Sequence, residues 1–130
     1  MIILDTSFII ALLNKGDVHH SEAVKILHQL DNDEKLVTHP LVVQETISVI
    51  ARKCREQRGD CREWMQKTEG FFTALKLVEF LSQRQEVLNT IVGSDCALSY
   101  IDAVLVLASK HLGAKVLTFD KALEKLAGNR

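Results

Sequence analysis

The chain has 130 residues, 47% of them hydrophobic, with 16 basic and 17 acidic side chains and a formal net charge of -1. This length and composition suit a single core, so we expect one domain spanning residues 1–130. The longest apolar run, from Ala103 to Ala108, is far shorter than the ~18 residues that a membrane-spanning helix needs, so we expect no membrane span.

The start of the chain and its cysteines indicate a cytoplasmic protein. Met1 leads directly into an aliphatic run, without the basic start, long apolar stretch and cleavage site of a secretory signal. Cys54, Cys61 and Cys96 are odd in number and have neither the spacing of a disulfide framework nor that of a zinc site. We therefore expect ordinary thiols, no structural zinc and a cytoplasmic location.

The first half of the chain alternates short β-branched runs with stretches of helical periodicity. The predicted elements are a strand at 2–4, helices at 6–13 and 19–30, a strand at 35–38 and a helix from 40 to about 57. Ser7 and Asp17 are candidate N-caps of the first two helices. Pro40 suits a first helical turn, where its missing N–H does no harm.

The second half continues the alternation. It predicts a helix at 62–75, a strand at 77–80, a helix at 82–91, a loop at 93–98, a helix from Ser99 to Gly113, a strand at 115–119 and a short final helix. Strands that alternate with helices are typical of an α/β domain with a parallel sheet covered on both faces. In such sheets, ligands bind beyond the carboxyl ends of the strands.

Two acids stand at that kind of position. Asp5 and Asp120 each follow an apolar strand and precede a helix, so both should lie at the same edge of the sheet. Each could equally serve as a helix N-cap, because Asp is favoured there. The repetition of the arrangement favours a shared site.

Two further acids stand on helices that could reach this edge. Glu45 interrupts an apolar helical stripe, where a buried carboxylate must be protonated, paired or bound to a cation, unless it reaches water at the stripe's border. Asp102 stands three residues after Ser99, a spacing that also fits a capping box. The helix after Asp102 is almost entirely apolar, which places its start near the sheet edge. Asp95, in the preceding loop, is a weaker candidate.

Four acids in one small volume repel one another unless cations occupy the site. Mg²⁺ or Mn²⁺ suits such a site, because hard divalent ions prefer carboxylate oxygens and water. A bound metal can polarise a phosphoryl group and activate water, so the cluster predicts phosphodiester hydrolysis without a covalent intermediate. Thr6, Ser7 and Thr118 lie beside the acids and could orient ligands through their hydroxyls, or could be ordinary cap and strand residues.

A basic segment offers contacts to phosphate. Residues 52–67 contain six basic and three acidic side chains, which could bind a nucleic acid or form a solvated helix surface with ion pairs. Aromatic residues make up only 5% of the chain, so platforms for stacking bases are scarce. Trp64 and Tyr100 are the candidates, although both also suit ordinary packing.

Four segments together resemble the motifs of PIN domains of the VapC toxin type. They are Ile-Ile-Leu-Asp-Thr-Ser-Phe at 2–8, Gln-Glu-Thr at 44–46, Leu-Ser-Tyr-Ile-Asp-Ala at 98–103 and Leu-Thr-Phe-Asp at 117–120. The resemblance implies a three-layer α/β/α fold with a short central parallel sheet, and an Mg²⁺-dependent or Mn²⁺-dependent endoribonuclease. It further implies a homodimer, and the toxin role in a type II toxin–antitoxin module, neutralised by a small antitoxin. The family's acidic positions map onto Asp5, Glu45, Asp102 and Asp120, with Ser7 and Thr118 as accessory hydroxyls.

Other functions remain as alternatives. A haloacid dehalogenase-like phosphatase would need an acid two residues after Asp5, where Ser7 stands, and a receiver domain would need an upstream acidic pair and a strand-end lysine. A housekeeping RNA-processing PIN nuclease, or a PIN module that binds RNA or protein without cleaving, would have the same motifs. A neighbouring short reading frame encoding an antitoxin would distinguish the toxin from the housekeeping enzyme.

Overall fold

A four-stranded parallel sheet forms the centre of the protein, and the computed structural model describes residues 1–127. The strands are β1 Ile2–Leu4, β2 Leu36–Thr38, β3 Lys76–Leu77 and β4 Lys115–Leu117, in the spatial order β3-β2-β1-β4. Ile3 of β1 pairs with Val37 on one side and with Val116 on the other. β1 has no exposed face, which explains its uninterrupted aliphatic sequence.

Seven helices connect and cover the strands within the described part of the chain. They are α1 Thr6–Leu13, α2 His20–Gln29, α3 Pro40–Gln57, α4 Cys61–Ala74, α5 Arg84–Gly93, α6 Tyr100–Leu112 and α7 Lys121–Leu126. α1 packs on α2 and α3, and α3 on α4, whereas α6 packs on α5, α7 and β4. The predicted three-layer α/β/α architecture is confirmed.

α6 is completely buried through its central two turns. Every residue from Ala103 to Ser109 is buried, so its apolar residues pack on all sides rather than along one stripe. Ser99 caps its start, and Gly113 ends it with φ of +64°, a conformation that glycine adopts without steric cost. Asp102 therefore lies in the first turn of α6, directly before its buried part.

The observed strand ends differ from the prediction because side chains take over the backbone hydrogen bonds. β4 ends at Leu117 rather than at 119: the Phe119 N–H donates to Ser7 Oγ across 2.9 Å, and the Asp120 N–H donates to Thr118 Oγ1 across 2.9 Å. β3 covers 76–77 rather than 77–80, and the Phe80 carbonyl contacts the His39 ring instead. The predicted helix at 82–91 lies two residues further on, at 84–93.

Both predicted caps at the start of the chain were wrong. The N-cap position of α1 is Asp5, whose side chain makes no capping bond, and Ser7 contacts Asp5 and Phe119 instead. α2 begins after His19, and Asp17 accepts the His19 N–H upstream of the helix at 2.8 Å. Among residues 1–127, no helix is long and apolar enough to cross a membrane.

Candidate active site

An open pocket of about 340 Å³ lies beyond the carboxyl ends of β1 and β4. Its lining combines four acids, three hydroxyl side chains and two aliphatic residues, namely Asp5, Glu45, Asp102, Asp120, Thr6, Ser7, Ser99, Ile10 and Val49. The acids come from four separate segments: the end of β1, the middle of α3, the first turn of α6 and the residue before α7. The structure thus places all four sequence-predicted acids on one cavity.

Asp5 is the most buried of these acids, with 3% of its surface exposed. Its Oδ2 atom accepts hydrogen bonds from Thr118 Oγ1 at 2.7 Å and from Ser7 Oγ at 3.1 Å. Burial raises the pKa of Asp5 above its ordinary value, and the negative charge of Glu45 raises it further. The bonds from Thr118, Ser7 and the Thr6 N–H oppose this rise.

The two accessory hydroxyls, Ser7 and Thr118, link the Asp5 carboxylate to the segment that follows β4. Ser7 Oγ and Thr118 Oγ1 lie 3.1 Å apart, and both also accept backbone N–H groups, from Phe119 and Asp120 respectively. Each hydroxyl therefore both donates and accepts, which fixes its orientation. Ser7 and Thr118 connect β1, α1 and the segment after β4 into one polar network around Asp5.

Asp102 and Asp120 both take part in helix capping and also line the pocket. Asp102 accepts the Ser99 N–H at 3.3 Å in a capping box, and Asp120 Oδ1 accepts the Leu123 N–H at 3.0 Å. A carboxylate has two oxygens, so one can cap a helix while the other serves the pocket. The capping and site interpretations of these acids are therefore compatible.

Asp102 also shows the repulsion expected of an acidic cluster. It is half-buried, and burial is the main cause that raises its pKa, followed by the charges of Asp5 and Asp120. The hydrogen bonds from Ser99 partly offset this rise.

Glu45 is half-buried on α3, and Val49, one turn later, also lines the pocket.

The donor set fits a hard divalent cation. No ion pair joins any of the four acids to a Lys, Arg or His within residues 1–127, so their charges are uncompensated there. Carboxylate and hydroxyl oxygens are the ligands that Mg²⁺ and Mn²⁺ prefer.

The present side-chain positions are nevertheless too open for a complete metal site. Across residues 1–127, no three His, Cys, Asp or Glu side chains are close enough together to hold one ion. The four acids nevertheless line the same pocket, and their negative charges repel one another in the absence of a cation. Mg²⁺ also keeps several waters, so it does not require direct contact with every acid.

Other sequence candidates fall outside the pocket. Asp95 is exposed in the loop after α5, with φ of 54°. Trp64 packs against the core, with the Lys67 ammonium 5.8 Å from the centre of its ring. Tyr100 is 45% exposed and follows the lining residue Ser99. The sequence had indicated Ser99 only as a cap, and its position before the Tyr-Ile-Asp motif was the available signal.

In the basic segment 52–67, some cations line a surface hollow and one links two helices. Arg52 and Arg55 line a hollow of about 450 Å³ on α3, together with Ser48 and Ala51. Arg52 stands two helical turns beyond Glu45, so acids and cations lie along the same helix. Lys67 instead donates to the Leu13 carbonyl at 2.9 Å and ties α4 to α1.

Solved structures with the same fold come from a bacterium and an archaeon. The chain resembles VapC20 of Mycobacterium tuberculosis, a toxin that cleaves the sarcin-ricin loop, with a TM-score of 0.78 and 23% identity over 100% of this chain and 97% of that one. It also resembles PAE2754 from Pyrobaculum aerophilum, with a TM-score of 0.72 and 20% identity over 96% and 84% of the respective chains. Similarity at this level of identity establishes the shared fold.

Comparison at the level of sequence families is more specific. No protein of curated function matches the chain. The sequence pattern of the PIN domain matches residues 2–129, which includes all four pocket acids and both accessory hydroxyls. This match agrees with the parallel sheet and with the position of the pocket at its carboxyl edge. The chain belongs to the PIN domain family.

Proposed function

We propose that the protein is a metal-dependent endoribonuclease that hydrolyses RNA phosphodiester bonds, with Asp5, Glu45, Asp102 and Asp120 as its metal-binding and catalytic residues. One observation carries the proposal: acids from four separate segments line a single pocket, and no cationic side chain within residues 1–127 is paired with them. A folded protein tolerates such uncompensated charge at a cost in stability, and functional sites are where such costs concentrate.

The acids would hold Mg²⁺, or alternatively Mn²⁺. The bound ion supplies positive charge that polarises a phosphate and lowers the pKa of water. Asp5 is the fixed ligand in this proposal, because two hydroxyls and a backbone N–H hold its carboxylate. Ser7 and Thr118 are positioning residues that keep one Asp5 oxygen in place. The side chains of the other three acids would adjust their positions to the ion.

We propose that water attacks the phosphodiester directly. The lining residues that the structure describes include no His, Cys or Lys, so the pocket offers carboxylates and hydroxyls for proton transfer. Burial raises the pKa of both Asp5 and Asp102, so these two carboxyl groups of the pocket hold a proton more readily than exposed acids do. Arg52 and Arg55 would bind phosphates of the RNA along α3.

We further propose that the protein is the toxin of a type II toxin–antitoxin module, acting in the cytoplasm and neutralised by a small antitoxin protein. The support is the similarity to the VapC20 toxin, which extends over nearly the full length of both chains. A homodimer is part of this proposal. Leu88 and Val92 lie one turn apart on α5 and are 44% and 69% exposed, which offers an apolar surface for association.

Cleavage of total RNA in the presence of Mg²⁺ or Mn²⁺ tests the catalytic proposal. We expect Asp5→Asn and Asp102→Asn to reduce cutting at least ~100-fold, because each loses a ligand and the water activation that depends on it. Asp95→Asn is the matched control, since Asp95 lies outside the pocket and Asn tolerates its left-handed conformation.

Two results would contradict the proposal. Equal cutting by the Asp5→Asn, Asp102→Asn and wild-type chains would remove these acids from the mechanism. RNA binding without any cutting by the wild type would favour a non-cleaving PIN module. Toxicity on expression, relieved by the product of an adjacent short reading frame, would separate a toxin from a housekeeping nuclease.

A further inference from the structure

Three rings form a parallel column beside the acidic pocket. The imidazole of His19 stacks on Phe119 with 4.3 Å between ring centres and 6° between planes. Phe119 stacks in turn on Phe8, at 5.6 Å and 16°. Phe8 is buried in the core, Phe119 is half-buried and the His19 side chain is 47% exposed. The column therefore runs from the core to a ring that is open to solvent.

The column is joined to the pocket through its middle ring. Phe119 lies between Thr118, which donates to Asp5, and Asp120, which lines the pocket. The Phe119 N–H donates to the pocket hydroxyl of Ser7 at 2.9 Å. The aromatic column and the acids thus share the segment 118–120.

Hydrogen bonds hold the backbone of His19 in place, and the stack on Phe119 holds its ring. Its own N–H donates to Asp17 Oδ1 at 2.8 Å, and its carbonyl accepts the first helical bond of α2, from Ala23 at 2.9 Å. The neighbouring His20 ring contacts the Ala11 carbonyl at 2.7 Å, which fastens the start of α2 to α1. A ring that is already ordered loses little conformational entropy when a planar ligand covers it.

We propose that His19 and Phe119 form a stacking site for an unpaired base of the RNA substrate. This inference rests on the proposed function and adds a means by which the substrate is held. Bases of single-stranded RNA stack on aromatic and imidazole rings, and the column ends in such a ring. Stacking is uncharged, so it attracts RNA where four carboxylates repel phosphate.

The surroundings of His19 favour a base over a phosphate. The Glu22 carboxylate lies 3.9 Å from His19 Nδ1, and this negative charge opposes a phosphate at the ring edge. Of the two aromatic residues considered from the sequence, Trp64 packs against the core, and Tyr100 is 45% exposed next to the lining residue Ser99. The His19–Phe119 pair differs from both because its exposed ring is already stacked and its partner belongs to the pocket segment 118–120.

The test uses the Asp5→Asn chain, so that substrate remains intact, and single-stranded RNA oligonucleotides with 2-aminopurine at each position in turn. The fluorescence of 2-aminopurine is quenched when the base stacks. We expect quenching at one position, its loss on adding His19→Ala, and its retention with His19→Phe. The His19→Ala change should also weaken binding about 10-fold, as expected for one stacked base. His28→Ala is the matched control, because His28 is exposed near the other end of α2.

The outcomes separate this inference from the proposed function. Quenching and affinity that are unchanged by His19→Ala, or an Asp5→Asn chain that binds none of the oligonucleotides, would overturn the stacking site. Cleavage of total RNA by the wild type is measured alongside. If the wild type cleaves and His19→Ala leaves both affinity and quenching intact, only the stacking site fails; if the wild type does not cleave, the nuclease proposal fails.

Discussion

The Thr118 hydroxyl donates to Asp5 Oδ2 across 2.7 Å, although 113 positions separate the two residues in the chain. The parallel pairing of β1 with β4 creates this contact, because Leu4 is opposite Leu117 and both strands end at the same level. Thr118 Oγ1 also accepts the Asp120 N–H at 2.9 Å. One hydroxyl therefore positions two of the four pocket acids.

Replacing Thr118 by Val removes this hydroxyl while keeping the shape of the side chain. We expect cleavage to fall ~10-fold to 100-fold, as is typical when the partner of a metal ligand is lost. The hydrogen bond lowers the pKa of Asp5, so its loss raises that pKa and moves the acidic limb of the activity profile to higher pH. The kcat/KM values measured against pH check both effects. Thr118→Ser should restore the profile, and a Val variant with an unshifted acidic limb would contradict this role.

Much of this arrangement could be predicted from the chain because it follows from local rules. An apolar run that ends in Asp indicates a strand end, and the parallel sheet brings two such ends, at Asp5 and Asp120, to one edge. The start of the buried helix α6 at Ser99 was likewise predicted from its cap and its apolar sequence.

The remaining features depend on contacts between distant segments. Ser7 was predicted either as a cap or as a hydroxyl beside the acids, and only the structure shows its bonds to Asp5 and to the Phe119 N–H, 112 positions away. That bond also ends β4 early, which no property of residues 115–119 indicates. The stacking of His19 on Phe119 is equally invisible in the sequence, because periodicity describes neighbours along one element only.

The buried acids should destabilise the metal-free protein near neutral pH. The pKa of Asp5 in the folded chain is raised above its ordinary value of 3.8, so the folded state binds more protons than the unfolded state over that interval. The free energy of unfolding therefore falls as pH rises from about 3.8 through the raised pKa. Asp102 contributes in the same direction.

Asp5→Asn should remove part of this penalty. We expect the metal-free variant to be more stable than the wild type at pH 7 by ~1 kcal/mol, or about 4 °C in Tm. Mg²⁺ should raise the Tm of the wild type in a concentration-dependent way and should have little effect on the variant. Thermal melts with EDTA and with Mg²⁺ measure both, with exposed Asp31→Asn as the control. A less stable Asp5→Asn chain without metal would show that its hydrogen bonds outweigh repulsion.

Asp120→Asn separates the capping role of this residue from its role in the pocket. Asn is as good an N-cap as Asp, so the bond to the Leu123 N–H is kept and Tm should change by less than about 2 °C. The negative charge is lost, so cleavage should fall ~10-fold or more. Asp60→Asn is matched to it, because Asp60 caps α4 through the Arg62 N–H and lies outside the pocket. Equal activity of the two variants would leave Asp120 with a capping role only.

Substitutions of Arg52 test whether the RNA backbone binds along α3 beyond the acidic pocket. Its exposed guanidinium lies two turns beyond Glu45, so we expect Arg52→Ala to raise KM about 5-fold with little change in kcat. If Arg52 contacts one phosphate of single-stranded RNA, the slope of log affinity against log salt concentration should become shallower by ~0.7. Arg52→Lys should keep that slope, because it keeps the charge, and Arg84→Ala, at the start of α5, should leave KM and slope unchanged. An Arg52→Ala chain with the wild-type salt slope would show that the phosphates follow another path.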